Sequence, residues 1–458
     1  MNKAFYFLFF LLPRIAQSAP NSPLYLSPPD IIIQVPSSQD ATESSTATPT
    51  VFQDSPQPIP TQISDEVPFL LPVPPQSSSK FSNSPLVMAY YPDWAGSSFP
   101  PERIDFNRFD WIDFAFAIPN KDASLSWDDP DTSPALLSRL VRAAHAKGKK
   151  VKLSIGGWTG SQYFSSIVAS DQTRRLFVQN ILGLYNKFQL DGCDIDWEYP
   201  GNQGAGNNQV SPKDSANFLL FLQLLRRQLP YSAIITAAVT TLPFYGSNRQ
   251  PMKDVSAFAR VLDWVLLMNY DVWGASPNPG PNAPLFDNCN NSTQPDASAE
   301  AGFRAWTAAG FLPSQLVLGV PSYGYVSKST ATRLRTRQDN ADADEGDNDN
   351  QKSQNVKLTY DGNQIQFRDL VKQGALTRKS DGTHGGSGGF TRYFDECSST
   401  PWLRSASSRQ IVTYDDTESL TMKAAYVKKV QMRGVNMFDV HGDTDGWDLV
   451  DSLRRGLA

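Results

Sequence analysis

The sequence predicts an α/β fold, a (β/α)8 TIM barrel with a small α+β insertion subdomain between strand 7 and helix 7. Three observations lead there. Beyond Leu86, eight short apolar runs alternate with amphipathic helical patterns, the sequence form of a strand–helix repeat closed into a barrel. The interval from Tyr325 to Asp416 holds far more chain than one loop needs, so an inserted subdomain is expected over about residues 325–416. The residues before Leu86 are a different material: fourteen of the chain's 34 prolines fall between Pro20 and Pro85.

Taken in order, the chain opens with Lys3, the apolar run of residues 4–12 and the small residues Ala16-Gln17-Ser18, the layout of a signal peptide over residues 1–18 with cleavage near Ala19. That run is too short to span a bilayer, which takes about 20 apolar residues. A secreted, extracellular protein with no membrane segment is therefore expected. Residues 19–85 are rich in Pro, Ser, Thr and Gln and cannot bury enough apolar surface to offset their ordering entropy, so disorder is expected there. They carry one Lys and six acids, and the first eighteen residues carry Lys3 and Arg14. Of the net charge of −5, only −2 is left for the body from Leu86 to Ala458. A near-neutral body argues against nucleic acid as a partner.

The eight predicted strands are Leu86–Tyr91, Trp111–Ala117, Val151–Gly156, Leu190–Trp197, Ala233–Thr241, Trp264–Tyr270, Gln315–Pro321 and Gly434–Val440. Helical patterns lie between them, at Ala135–Lys147, Gln172–Phe188, Asp214–Leu229 and Ala297–Ala309 among others, and a helix is expected after every strand. Barrel enzymes carry their chemistry at the C-terminal ends of the strands. The fourth strand ends Asp194-Ile195-Asp196-Trp197-Glu198. Alternation puts Asp194, Asp196 and Glu198 on one side, about 7 Å apart, and Cys193, Ile195 and Trp197 on the other. The apolar set suits the layer between sheet and helices, which turns three carboxyls into the barrel interior. They cannot all stay ionised in a low dielectric, so at least one must hold a proton, and no inward-facing basic partner is evident. Such a carboxyl suits a general acid.

Asp191-x-x-Asp194-x-Asp196-x-Glu198 resembles the signature of glycoside hydrolase family 18, the chitinases and their relatives. Ser154-Ile155-Gly156-Gly157-Trp158, Met268-Asn269-Tyr270-Asp271 and Gly319-Val320-Pro321-Ser322-Tyr323-Gly324 agree with the family in order and spacing. The resemblance covers Leu86 to Leu457, and its insertion would have Gln410–Asp416 as an exit strand. It implies retaining, substrate-assisted hydrolysis of β-1,4-linked N-acetylglucosamine, an exception to the two-carboxylate schemes of most glycosidases. Glu198 would protonate the glycosidic oxygen while the sugar's own acetamido oxygen attacks to give an oxazolinium ion. Asp196 would hold the acetamido N–H, Asp194 would share a proton with Asp196, and Tyr270 would donate to the acetamido oxygen.

Substrate-binding candidates are Asp271, Met268, Trp158, Trp273, Phe438 and Tyr90, all near the C-terminal ends of predicted strands, with Trp94 a further exposed ring. Phe438 stands where many family members carry a Trp as the floor of the catalytic subsite. Trp111, Trp197, Trp264 and Trp306 read as core, and His441 as a structural or rim residue. In an oxidising compartment Cys289 and Cys397 are the candidate disulfide, with Cys193 a buried thiol. Asn290-Asn291-Ser292-Thr293 holds overlapping N-glycosylation sequons. The acidic stretch Asp339–Asp349 lacks EF-hand ligand order and reads as a solvated loop. No metal site and no cofactor are expected. A monomer acting on chitin or chito-oligosaccharides follows; the alternatives are an endo-β-N-acetylglucosaminidase acting on glycoprotein chitobiose cores and a non-catalytic chitin-binding lectin.

Overall fold

The computed structural model describes residues 84–334 and 356–458. The expected signal peptide, nearly all of the Pro/Ser/Thr-rich segment and the acidic stretch lie outside the described residues. Eight parallel strands form the barrel: β1 (Leu86–Pro92), β2 (Trp111–Pro119), β3 (Lys150–Gly156), β4 (Gly192–Asp196), β5 (Ile234–Val239), β6 (Trp264–Leu267), β7 (Leu316–Pro321) and β8 (Gly434–Phe438). Each pairs with the next, and β8 returns to β1, closing the ring.

The alternation expected of each strand sorts the core into two layers. Val151, Leu153 and Ile155 of β3 and Cys193, Ile195 and Trp197 around β4 lie in the large outer cluster beneath the helices. Inside the barrel a smaller cluster gathers Met88, Tyr90, Ala115, Ile234, Ala238, Trp264, Leu266 and Val317. Trp111 and Trp264 meet edge to face within it at 5.8 Å between centroids, while Trp197 stacks on Phe164 and Trp306 is buried outside the barrel.

A helix does not follow every strand. Long helices follow β2 (Ser133–His145), β3 (Asp171–Phe188), β4 (Asp214–Gln228), β6 (Ala299–Ala308), β7 (Thr417–Lys429) and β8 (Asp448–Leu457). The connection after β1 has only short 3-10 turns, and that after β5 a single helical turn, Ser256–Ala259. Both connections hold prolines, Pro100-Pro101 in one and Pro243 and Pro251 in the other, which interrupt a hydrogen-bonded helix before it lengthens.

Between β7 and its helix the chain builds a five-stranded antiparallel sheet. Its strands run Gln364–Gln366, Tyr323–Lys328, Gln410–Thr413, Thr400–Ser405 and Thr391–Asp395 in spatial order, with the short helix Phe367–Lys372 and a two-stranded ribbon beside them. The strand Gln410–Thr413 pairs with Tyr323–Lys328, so the chain leaves the insertion next to where it entered. Cys289 and Cys397 form a disulfide that joins the long loop after β6 to this subdomain, and Cys193 is free and buried. Backbone bonds from Leu285 to Ser398 and from Asn288 to Cys397 reinforce the same seam. Asn290, in the sequons, is exposed beside it. Among the described residues no helix is long and apolar enough to cross a membrane.

Candidate active site

Three carboxyls of β4 and its C-terminal extension converge inside the barrel mouth. Asp194, Asp196 and Glu198 are at most 9% exposed. Asp191, the first acid of the motif, is not with them. It sits at the opposite end of the strand, where Lys150, His145 and the amide of Val151 hold its carboxylate, so its role is to stitch β3 to β4.

Asp194 is the deepest of the three and accepts three hydroxyl hydrogen bonds: Tyr90 (2.9 Å) and Ser154 (2.8 Å) on one oxygen, Thr236 (2.5 Å) on the other. Asp196 is nearly its opposite. Its Oδ1 is buried with no hydrogen-bond partner among the described residues. Burial raises its pKa well above the ordinary carboxyl range, and the neighbouring charges of Glu198 and Asp194 add to the rise. Glu198 is pushed up to about 7, mainly by burial; a hydrogen bond with the Tyr199 hydroxyl opposes this and the charge of Asp271 adds to it. A carboxyl with that proton affinity can hold a proton at neutral pH and release it to a leaving oxygen.

The backbone that carries Glu198 is fixed on both sides. Its N–H donates to Ser161 Oγ at 2.9 Å, and its carbonyl accepts from Asn208 Nδ2 at 3.0 Å. At the facing end of β3, Gly156 adopts φ 117°, and a Cβ there would overlap the carbonyl oxygen of Asp196. That close approach accounts for a glycine in the Ser-Ile-Gly-Gly-Trp run.

Tyr270 and Asp271 follow β6. The Tyr270 ring lies 6.1 Å from Phe438 and 6.3 Å from Tyr323, so these rings line the mouth beside the carboxyls. Met268, on the same side of its strand as Tyr270, packs against the inner cluster, whereas Asn269 points outward and donates to the carbonyl of Ala297. Asp271 accepts from two tyrosines, Tyr323 at 2.6 Å and Tyr325 at 2.9 Å. Burial raises its pKa, and those two bonds hold it back. Tyr325 belongs to the inserted sheet, where Gln364 donates to its hydroxyl, so the insertion supplies a group to the site.

Two expectations need correction. Tyr90, a substrate-binding candidate, is 1% exposed and spends its hydroxyl on Asp194, so it supports a carboxylate from beneath. Nor does the barrel interior lack a basic residue. Lys152 of β3 is 1% exposed, 3.3 Å from Asp113 of β2, and donates to Thr236 at 2.9 Å. Its signal was present in the sequence: once Val151, Leu153 and Ile155 face the helices, Lys152 must face in. Phe438 is partly exposed at the end of β8, between Tyr90 and Tyr270. Trp158 and Trp273 are partly exposed on the loops after β3 and β6, and Trp94, 58% exposed, lies 6.2 Å from Phe116. His441 packs edge-on against Phe99 at the rim. Tyr199, Tyr323, Tyr325 and Thr236 were missed as site residues, although Tyr199 and Tyr323 adjoin or belong to the quoted motifs. Among the described residues no group of three or more His, Cys, Asp or Glu is arranged to hold a metal ion.

Comparison with known proteins agrees with this geometry. A chitinase-like effector of Moniliophthora roreri is 34% identical over 390 residues, covering 81% of this chain and 93% of that protein. A counterpart in Moniliophthora perniciosa is 33% identical, covering 83% and 88%. The crystal structure of a chitinase from Rhizomucor miehei, at 33% identity, superposes with a TM-score of 0.68 over 81% of this chain and 99% of that one. The sequence model of the glycosyl hydrolases family 18 matches residues 86–443, and the chain belongs to that family.

Proposed function

We propose that the chain is a secreted chitinase, N-glycosylated on the loop that holds Asn290, which hydrolyses β-1,4-linked N-acetylglucosamine polymers with retention through an oxazolinium ion. The observation that carries this reading is the contrast among three adjacent carboxyls: Glu198 is pushed up to about 7, Asp196 keeps a buried Oδ1 with no hydrogen-bond partner among the described residues, and Asp194 accepts from three hydroxyls. Glu198 protonates the leaving oxygen and later takes a proton from the attacking water. The sugar's acetamido oxygen is the nucleophile, so the free oxygen of Asp196 is left to accept from the acetamido N–H. Tyr270 donates to the acetamido oxygen from the opposite side, and Phe438 offers a flat apolar face to the ring.

Product analysis on N-acetylglucosamine oligomers of increasing length tests the assignment, with Glu198→Gln as control. Hydrolysis by the wild type and binding without hydrolysis by the variant are expected; substantial hydrolysis by the variant would refute the assignment of the acid. Chitosan without acetyl groups and cellulose should both resist cleavage, because neither carries the internal nucleophile. A second reading is a chito-oligosaccharide-binding protein without turnover. The two Moniliophthora relatives are named chitinase-like effectors, and Phe438 gives a smaller floor than the family Trp. Tight oligomer binding by a wild type that leaves every oligomer intact would favour it.

A further inference from the structure

The barrel interior below the carboxyls holds a charged pair where a parallel barrel ordinarily stacks apolar layers. Lys152 and Asp113 are each about 1% exposed and 3.3 Å apart. Asn436 of β8 donates to the other oxygen of Asp113 at 2.7 Å, and the ammonium lies 4.9 Å from the centroid of the Trp264 ring. Apolar side chains of similar volume would be at least as stabilising as a buried ion pair. Packing alone therefore gives no reason for this one.

Its connection gives a reason. The Lys152 ammonium has donors only, so Thr236 Oγ1, 2.9 Å away, must accept from it. The single hydroxyl proton of Thr236 is then committed to its other neighbour, Asp194 Oδ1, at 2.5 Å. With Tyr90 and Ser154 donating to Oδ2, Asp194 meets donors on every side. We propose that Asp113, Lys152 and Thr236 form a one-way relay that holds Asp194 as a pure acceptor and thereby leaves the proton of the two aspartates to Asp196. Lys152 and Thr236 are positioning residues in this scheme. Thr236 is fully buried, so neither it nor Lys152 below it is placed to meet a sugar.

The inference rests on the chitinase reading for its kinetic test but not for its spectroscopic one. The charged and titratable groups around the pair are Tyr90 from β1, Asp113 from β2, Lys152 from β3, Cys193 of β4, Glu198 and Tyr199 beyond β4, and Tyr270 and Asp271 beyond β6. Hydroxyls of Ser154 and Thr236 and the amide of Asn436 complete the surroundings, and β7 contributes no ionisable side chain. Thr236→Val removes the relay's middle hydroxyl at nearly constant volume and leaves the ion pair intact. Without that donor the aspartate pair takes up a second proton more readily, so the acidic limb of the kcat profile should rise by about one pH unit, with KM for chito-oligosaccharides little changed. Thr236→Ser should restore the wild-type limb. The double variant Asp113→Asn with Lys152→Met, which strands no charge, should shift the limb in the same direction as Thr236→Val. A purely structural role would lower the melting temperature and leave the limb in place, and that result overturns the proposal; so does Thr236→Ser behaving like Thr236→Val. Infrared difference titration of the protonated-carboxyl band reads the same pair without turnover. A wild type that hydrolyses no oligomer would sink the chitinase reading, and the relay would still stand or fall on whether the infrared midpoint moves in Thr236→Val.

Discussion

Glu198→Gln should make the protein more stable at neutral pH while removing its activity. The carboxyl is pushed up to about 7 in the folded chain, from 4.5 when free in water, chiefly by burial. The folded state therefore binds the proton more tightly than the unfolded state. Stability conferred by the protonated form is fully present below pH 4.5, falls as pH rises from there to about 7, and stays lost above that. The difference of about 2.5 pH units corresponds to about 3 kcal/mol, the penalty for ionising Glu198 where it sits. Gln keeps the shape and an oxygen for the Tyr199 hydroxyl but has nothing to ionise. Urea unfolding at pH 4 should find the two proteins within about 1 kcal/mol of each other. At pH 8 the variant should lead by about 3 kcal/mol, with unchanged m-values. A lead that is the same at both pH values, or a variant that is weaker at pH 8, would show that Glu198 is not held protonated by burial and would remove the physical basis for calling it the acid.

Tyr270→Phe should lower kcat/KM by about 10-fold or more, because one hydrogen bond to a charged intermediate is worth about 1.5–3 kcal/mol; steady-state rates on a chromogenic oligomer check this. Asp271→Asn should move the basic limb of the kcat/KM profile to lower pH, since the Asp271 charge is one of the contributions that raise Glu198; a rise would contradict the geometry. Removing the Cys289–Cys397 bridge, which spans 108 residues of sequence, should cost about 4 kcal/mol in urea unfolding. In the intact protein Cys193, pushed up to about 12 by burial, should resist alkylation until the chain unfolds.

The strand positions were legible because alternation in a parallel barrel is a strict code. Cys193, Ile195 and Trp197 could only face the helices, which left Asp194 and Asp196 inside. Applied to β3, the same code turns Lys152 inward, because Val151 and Leu153 on either side of it face the helices. Tyr90 was misassigned for a different reason: its place at a strand end is visible in sequence, whereas its depth depends on how far Phe438 and Asp194 close over it. The missing helices after β1 and β5 could have been read from Pro100-Pro101, Pro243 and Pro251. Tyr325 had no local signal at all. Its contact with Asp271 exists only because the inserted sheet folds back over the barrel mouth.

That contact also limits what could be exchanged between relatives. Replacing the inserted sheet would remove the Tyr325 hydroxyl from Asp271, and through Asp271 would alter how firmly Glu198 keeps its proton. A change made in the inserted sheet therefore reaches the carboxyl beyond β4, although the two lie on separate segments of the chain.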